Sequence, residues 1–219
     1  MSSGLEFGEG YNAVGDVSVM LFTTHDMAAY AASKPPETDP GDVWHYSSGT
    51  SNIICRIVCD AVGPGQDCLT FPRRALFDPI GMRSAVFEPD ASGTPVGSSY
   101  VYATARDWAR FGLLYLQDGV WEGERILPQG WVTYTTTPTP GSEGRYGAHW
   151  WLKKGDPADQ RWLDFPDDLF LASGYDGQFV VVVPSHSLVI VRLGFTPDPE
   201  AWDLAALIGD VLEAVPASE

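Results

Sequence analysis

Positive charge is scarce in this chain: its 219 residues hold 13 Lys and Arg against 29 Asp and Glu, for a formal net charge of −16. Such a surface repels phosphate backbones and anionic lipid, which argues against nucleic acid as a partner. The acidic residues are spread along the chain rather than gathered into a tail, so they read as a solvated surface. Long apolar runs are also missing. None approaches the roughly 20 residues that cross a bilayer, and Met1 to Tyr11 carries neither the basic nor the apolar region of a signal peptide. Cysteine is limited to Cys55, Cys59 and Cys68, with no Cys-x-x-Cys and no ligand-spaced histidine, so a zinc site is not expected. Buried thiols are the expected state, with a bridge from Cys55 or Cys59 to Cys68 as the alternative. His45 and His149 likewise have no spacing partner for a metal.

What is present is core material: 44% of residues are hydrophobic and 12% aromatic, enough for a substantial interior. The first 45 residues read as loops with small helices, including an apolar patch at Val17 to Thr23 and a helix at His25 to Ala32 before Pro35-Pro36. Ser51 to Val62 forms a helix capped by Thr50 or Ser51, with Ile53, Ile54, Ile57, Val58 and Ala61 at helical spacing. Gly63-Pro64-Gly65 ends it, and a second helix covers Leu69 to Leu76. Thr104 and Asp107 form a capping-box variant ahead of Trp108, Phe111, Leu114 and Tyr115, which predicts a helix up to Asp118-Gly119. Arg106, Asp107 and Arg110 on it read as paired surface charges. Val120-Trp121 and Arg125-Ile126 flank Glu122-Gly123-Glu124 as a minor hairpin, and Pro128 opens a helix to about Thr135.

From Tyr146 the pattern changes to strands: Tyr146 to Leu152, Phe170 to Ala172, Phe179 to Val183 and Leu188 to Leu193. The last two are apolar on both faces, which predicts a sheet covered on each side. Asp203 caps a final helix, Leu204 to Val215, with one apolar stripe. Trp44, Trp150 and Trp151 read as core or as a pocket wall. The fold class is therefore α+β: a mostly helical part over about 1–145, then antiparallel strands and a C-terminal helix over about 146–219.

Several segments, in order, resemble the β-lactamase-related serine hydrolases, a family that includes penicillin-binding proteins, class C β-lactamases and 6-aminohexanoate-dimer hydrolases. They are Met1-Ser2-Ser3-Gly4-Leu5, Trp44-His45-Tyr46-Ser47-Ser48-Gly49, Phe77-Asp78-Pro79-Ile80-Gly81-Met82, Tyr102 to Gly112, and Ser173-Gly174-Tyr175-Asp176-Gly177-Gln178. The resemblance implies a β-lactamase/transpeptidase-like fold, an antiparallel sheet flanked by helices beside a helical part. It also implies cleavage of a small-molecule ester, amide or lactam through an acyl-enzyme, with no metal and no cofactor. In that family a Ser-x-x-Lys motif supplies nucleophile and lysine, a Tyr-x-Asn motif supplies a tyrosine base, and a Lys-Thr-Gly-like strand lines the site.

Tyr46 matches the base and Ser48 the asparagine; the alternative for Tyr46 is an ordinary half-buried aromatic before a helix cap. Ser173 and Gly174 match the last two residues of Lys-Thr-Gly, with Ala172 in place of the lysine, and Tyr175 is implied as a backbone donor to the oxyanion. The alternative is a strand end followed by a glycine-rich turn. Lys34, Lys153 and Lys154 are the only lysines, and the residues three before them are Ala31, Trp150 and Trp151, so the 219 residues hold no Ser-x-x-Lys. The expectation is a chain lacking the N-terminal strands and the nucleophile helix of its family, inactive alone and poorly soluble because a sheet edge is left open.

Overall fold

The computed structural model describes residues 1–11, 14–153, 162 and 164–215. Two compact units emerge: Met1–Pro79 with Arg83–Ala103, and Ile80–Met82 with Thr104–Glu219.

The first unit is helical. It contains α1 (Asp16–Thr23), α2 (Met27–Ala32), α3 (Ser48–Val62) and α4 (Gln66–Pro72), with a two-stranded ladder of β1 (Val86–Phe87) and β2 (Val101–Tyr102). α2 begins where Asp26 accepts the Ala29 N–H at 2.9 Å, so it starts two residues after the expected His25. α3 starts earlier than expected, at Ser48, because the Ser47 hydroxyl rather than Thr50 or Ser51 is the cap, accepting the Thr50 N–H at 3.1 Å. α4 also starts early and widens into a π-helical turn at Arg73–Phe77 directly after Pro72, which has no N–H to continue the ladder.

The orientation of α3 turns several of its helically spaced apolar residues outward. Ile54, Ile57 and Val58 are 43%, 60% and 38% exposed, whereas Ser48, Gly49, Ser51, Asn52 and Cys59 face inward. Close approach explains this. A Cβ on Gly49 would lie 2.7 Å from the Phe7 ring and 3.0 Å from Ala31 Cβ, so only a surface of small residues lets α3 sit against α2. The inward polar groups are satisfied: Asn52 Nδ2 donates to Ser48 O and to Ser98 Oγ, both at 3.0 Å. Arg56, on the same helix, bonds Thr94, Asp26 and Ser92, tying α3 to the start of α2. Cys59 and Cys68 are joined in a disulfide, correcting the expectation of three free thiols. Positive φ at Gly63 (109°) and Gly65 (67°) reverses the chain within a few residues, bringing α4 back against α3. Cys55 remains a thiol, and burial pushes its pKa up to about 11.

The second unit is built on a four-stranded antiparallel sheet in the order β5 (Trp151–Leu152), β6 (Phe170–Gly174), β7 (Gln178–Val183), β8 (Leu188–Arg192). Alternation along β7 divides its valines. Val181 and Val183 pack with Ala205 and Ile208 of α7 (Leu204–Ala214), while Val182 packs with Tyr115 of α5 (Ala105–Leu116). α5 comes unusually near the sheet at Gly112, where a Cβ would lie 2.6 Å from Val189 and 3.1 Å from Val180. α5 therefore belongs with the strands, and the boundary between units falls at 103/104 although strands dominate only from 151.

The Thr104 hydroxyl caps α5 by accepting the Asp107 N–H. Asp107 itself is 5% exposed and bonded to Arg110 at 3.1 Å, so it is a buried partner rather than the surface charge expected. The minor hairpin pairs β3 (Val120–Trp121) with β4 (Glu124–Arg125), one residue earlier than expected, because Glu122 and Gly123 both adopt positive φ and close a two-residue turn. The last helix of this region, α6, covers Trp131–Thr136, starting after Gly130 and not at Pro128.

Of the expected strand Tyr146 to Leu152, only Trp151–Leu152 joins the sheet. Gly147 lies where a Cβ would meet Thr135 O at 2.0 Å, and His149 has φ 66°, so the segment folds back and Tyr146 bridges to Trp151. Trp150 is core, 2% exposed among Phe111, Tyr115 and Phe170.

Candidate active site

Tyr46 and Ser48 lie in the first unit, where the loop from Gly41 turns into α3. Ser47 is extended (φ −148°, ψ 113°) and caps the helix, which places Tyr46 one residue outside and Ser48 in the first turn. The amide of Ser48 donates to Glu9 Oε2 at 2.9 Å, and its hydroxyl donates to Glu9 Oε1. Glu9 thus supplies a carboxylate to a helix N-terminus, where backbone N–H groups lack intrahelical partners and negative charge is favoured. Ser48 is 4% exposed, so its hydroxyl is committed to Glu9 beneath the surface.

Tyr46 is half-buried. Burial first, and the neighbouring Glu9 charge second, push its phenol above the ordinary tyrosine value. Both causes oppose phenolate, so at neutral pH Tyr46 carries its proton. The cations nearest in sequence are committed elsewhere: Lys34 pairs with Asp16 and Tyr30, Arg56 with Asp26, and Arg73 with Asp78. His45, next to Tyr46, donates from Nε2 to the Phe7 carbonyl at 2.9 Å.

Glu9 was not among the residues singled out from sequence. Nothing local marks it, since the bond to Ser48 spans 39 positions. Its only trace is an acidic residue in a glycine-bearing segment, Phe7-Gly8-Glu9-Gly10, shortly after Met1-Ser2-Ser3-Gly4-Leu5.

Ser173, Gly174 and Tyr175 lie in the second unit, at the end of β6 and the start of its turn into β7. Ser173 pairs with Phe179 and Gly174 with Gln178, leaving Tyr175, Asp176 and Gly177 as the connection. Asp176 (φ 55°) and Gly177 (φ 85°) take the left-handed conformation that Asp and Gly tolerate. Three bonds fix the turn. Gln178 Nε2 donates to Tyr175 O at 3.0 Å, Arg192 Nη1 donates to Gly177 O, and the Thr196 N–H donates to Asp176 O at 3.0 Å. Arg192 also donates to Thr196 Oγ1 at 2.6 Å and stacks 4.0 Å from the Trp202 ring centroid. Ser173 and Gly174 are exposed, and the Tyr175 side chain is 64% exposed.

Among the described residues no group of three or more His, Cys, Asp or Glu is arranged to hold a metal ion, and no helix is long and apolar enough to cross a membrane.

Comparison with known proteins gives this geometry a family. Among curated proteins, the chain is 30% identical to the 6-aminohexanoate-dimer hydrolase of Paenarthrobacter ureafaciens, a match covering 54% of this chain and 31% of that protein. The chain therefore spans about a third of the length of that relative. Among solved structures, a Bacillus anthracis protein assigned as a 6-aminohexanoate-dimer hydrolase superposes with a TM-score of 0.75 at 21% identity, covering 99% of this chain and 60% of that one. A beta-lactamase from Mycobacterium bovis gives 0.65 at 18% identity, covering 87% of this chain and 72% of that one. These likenesses establish a β-lactamase/transpeptidase-like fold of mixed helices and antiparallel sheet. The Beta-lactamase family model matches residues 1–211, and the chain belongs to that family.

Proposed function

We propose that the 219 residues are part of one β-lactamase-related domain, in a serine hydrolase that cleaves small-molecule esters or amides through an acyl-enzyme. Tyr46 is the base. The Ser-x-x-Lys pair that the reaction needs is absent from these residues, and the reading assigns it to a longer parent polypeptide. In the parent, the serine Oγ attacks the carbonyl carbon while its proton passes to the Tyr46 phenolate, which the lysine stabilises. The Tyr175 N–H donates to the oxyanion, with Ser173 and Gly174 lining the strand. Collapse expels the alcohol or amine, which takes the proton back from Tyr46, and water then hydrolyses the acyl-serine.

The observation that carries this reading is the place of Tyr46. It sits at the family's base position one residue ahead of α3, where burial and the Glu9 charge raise its pKa. By this reading the 219 residues alone have no acyl-transfer activity. Ala172 in place of the strand lysine points away from carboxylate-bearing lactams and toward esters or linear amides.

The test is fluorophosphonate labelling of a parent polypeptide that includes the Ser-x-x-Lys region. Covalent modification of that serine, lost in Tyr46→Phe, is the expected result. A folded parent that takes no label would overturn it in favour of a non-catalytic ligand-binding module, a reading that the absence of Ser-x-x-Lys from these residues also accommodates.

A further inference from the structure

Along one side of α5 runs a groove whose residues the acyl-transfer reading leaves unassigned. It is an open cleft of about 360 Å³, lined by Arg106, Ala109, Arg110 and Leu113 of α5 and by Trp121 of β3. Helix geometry brings the first four together, because positions i, i+3, i+4 and i+7 share one stripe. The opposite stripe of α5 meets the sheet, where Gly112 approaches Val189 and Tyr115 packs with Val182. Ala109, Leu113 and Trp121 are each half-buried, so the groove has apolar walls to which the arginine stems add their methylenes.

The two cations differ in their partners. Arg110 donates from Nη1 to Asp107 Oδ1 at 3.1 Å and back to the Arg106 carbonyl at 3.4 Å. Arg106 is exposed, and its guanidinium has neither an ion pair nor a hydrogen bond among the described residues, although acidic residues outnumber basic ones 29 to 13. Like charges four apart on a helix repel, and Asp107 answers only one of this pair. None of the five lining residues carries a carboxylate. The groove therefore joins an unanswered positive charge to an apolar trough, and one kind of molecule satisfies both: a monoanion with an apolar body.

We propose that this groove binds the anion of a small aliphatic carboxylic acid, with its carboxylate on Arg106 and its chain along Ala109, Leu113 and Trp121. From Arg106 to Leu113 the stripe runs about 10 Å, roughly the reach of an eight-carbon chain. Arg110 stays with Asp107 and adds attraction without giving up that bond. The site uses none of Tyr46, Ser48 or residues 173–175, so it stands apart from the acyl-transfer reading.

Binding can be read without turnover. Octanoate and neutral octanamide, nearly equal in shape, are titrated into the 219-residue chain while backbone amide and indole N–H resonances are followed by NMR. Octanoate is expected to shift Arg106, Arg110, Leu113 and the Trp121 indole saturably, about fivefold more tightly than octanamide. Acetate, which has the charge without the chain, is expected to shift them without saturating. Arg106→Gln, at an exposed helical position, is expected to bring octanoate down to the affinity of octanamide with resonances outside the groove unchanged, and Arg106→Lys to keep part of the preference. Equal binding of octanoate and octanamide, shifts that map elsewhere, or an octanoate affinity untouched by Arg106→Gln would overturn the proposal.

Discussion

The two places where this chain resembles its family's motifs are built in opposite ways. At the mouth of α3, position depends on side chains far apart in sequence: Glu9 reaches Ser48, Asn52 reaches Ser98, and Gly49 lets the helix close on Phe7 and Ala31. At the end of β6, position depends on a backbone ladder with one guanidinium bracing the turn. The first arrangement sets Tyr46 beside a carboxylate, whose charge adds to burial in raising the phenol's pKa. The second does not depend on such a partner, since a backbone donor needs no particular side chain.

Substitutions can break this contrast at either place. The largest loss is expected at the closest contact: Gly49→Val drives a side chain into Phe7 and Ala31 and costs about 3 kcal/mol of stability in chemical denaturation. Arg192→Ala removes two charge-assisted bonds from the β6–β7 turn and costs about 2 kcal/mol. Faster amide exchange confined to residues 175–178 and 194–197 would mark that loss as local, and Arg192→Lys is expected to recover only part of it. Glu9→Gln is milder, about 1 kcal/mol, because the amide oxygen still accepts one bond from Ser48 while the charge at the helix N-terminus is lost. That substitution separates the two regions most cleanly. It is expected to lower the Tyr46 pKa and leave the resonances of Ser173 to Tyr175 unmoved.

The parts of the molecule that could be read in advance are those set by local pattern. Thr104 and Asp203 start helices through their own hydroxyl and carboxylate, and the valines of β7 and β8 announce strands covered on both faces. Where a distant partner decided the outcome, the pattern misled. Ile54, Ile57 and Val58 repeat at helical spacing, which places them on a helix without saying which face packs; the small polar face opposite packs closer and turns them outward. Asp107 looked like half of a surface ion pair and is buried against Arg110. At the candidate site, Tyr46, Ser48 and the Ser173 to Tyr175 run were visible only through their likeness to a family. Glu9, whose charge adds to burial in raising the Tyr46 pKa, was invisible because 39 residues separate it from its partner Ser48.

The account stands on burial and Glu9 together holding Tyr46 protonated, and its phenol can be titrated directly. With ¹³C-labelled tyrosine and Tyr46→Phe to assign the resonance, the 219-residue chain is predicted to show Tyr46 ionising above the ordinary tyrosine pKa of 10.0, and closer to that value in Glu9→Gln. Ionisation of Tyr46 below 10.0 in the unaltered chain would contradict it, because burial and an adjacent carboxylate both raise a phenol's pKa.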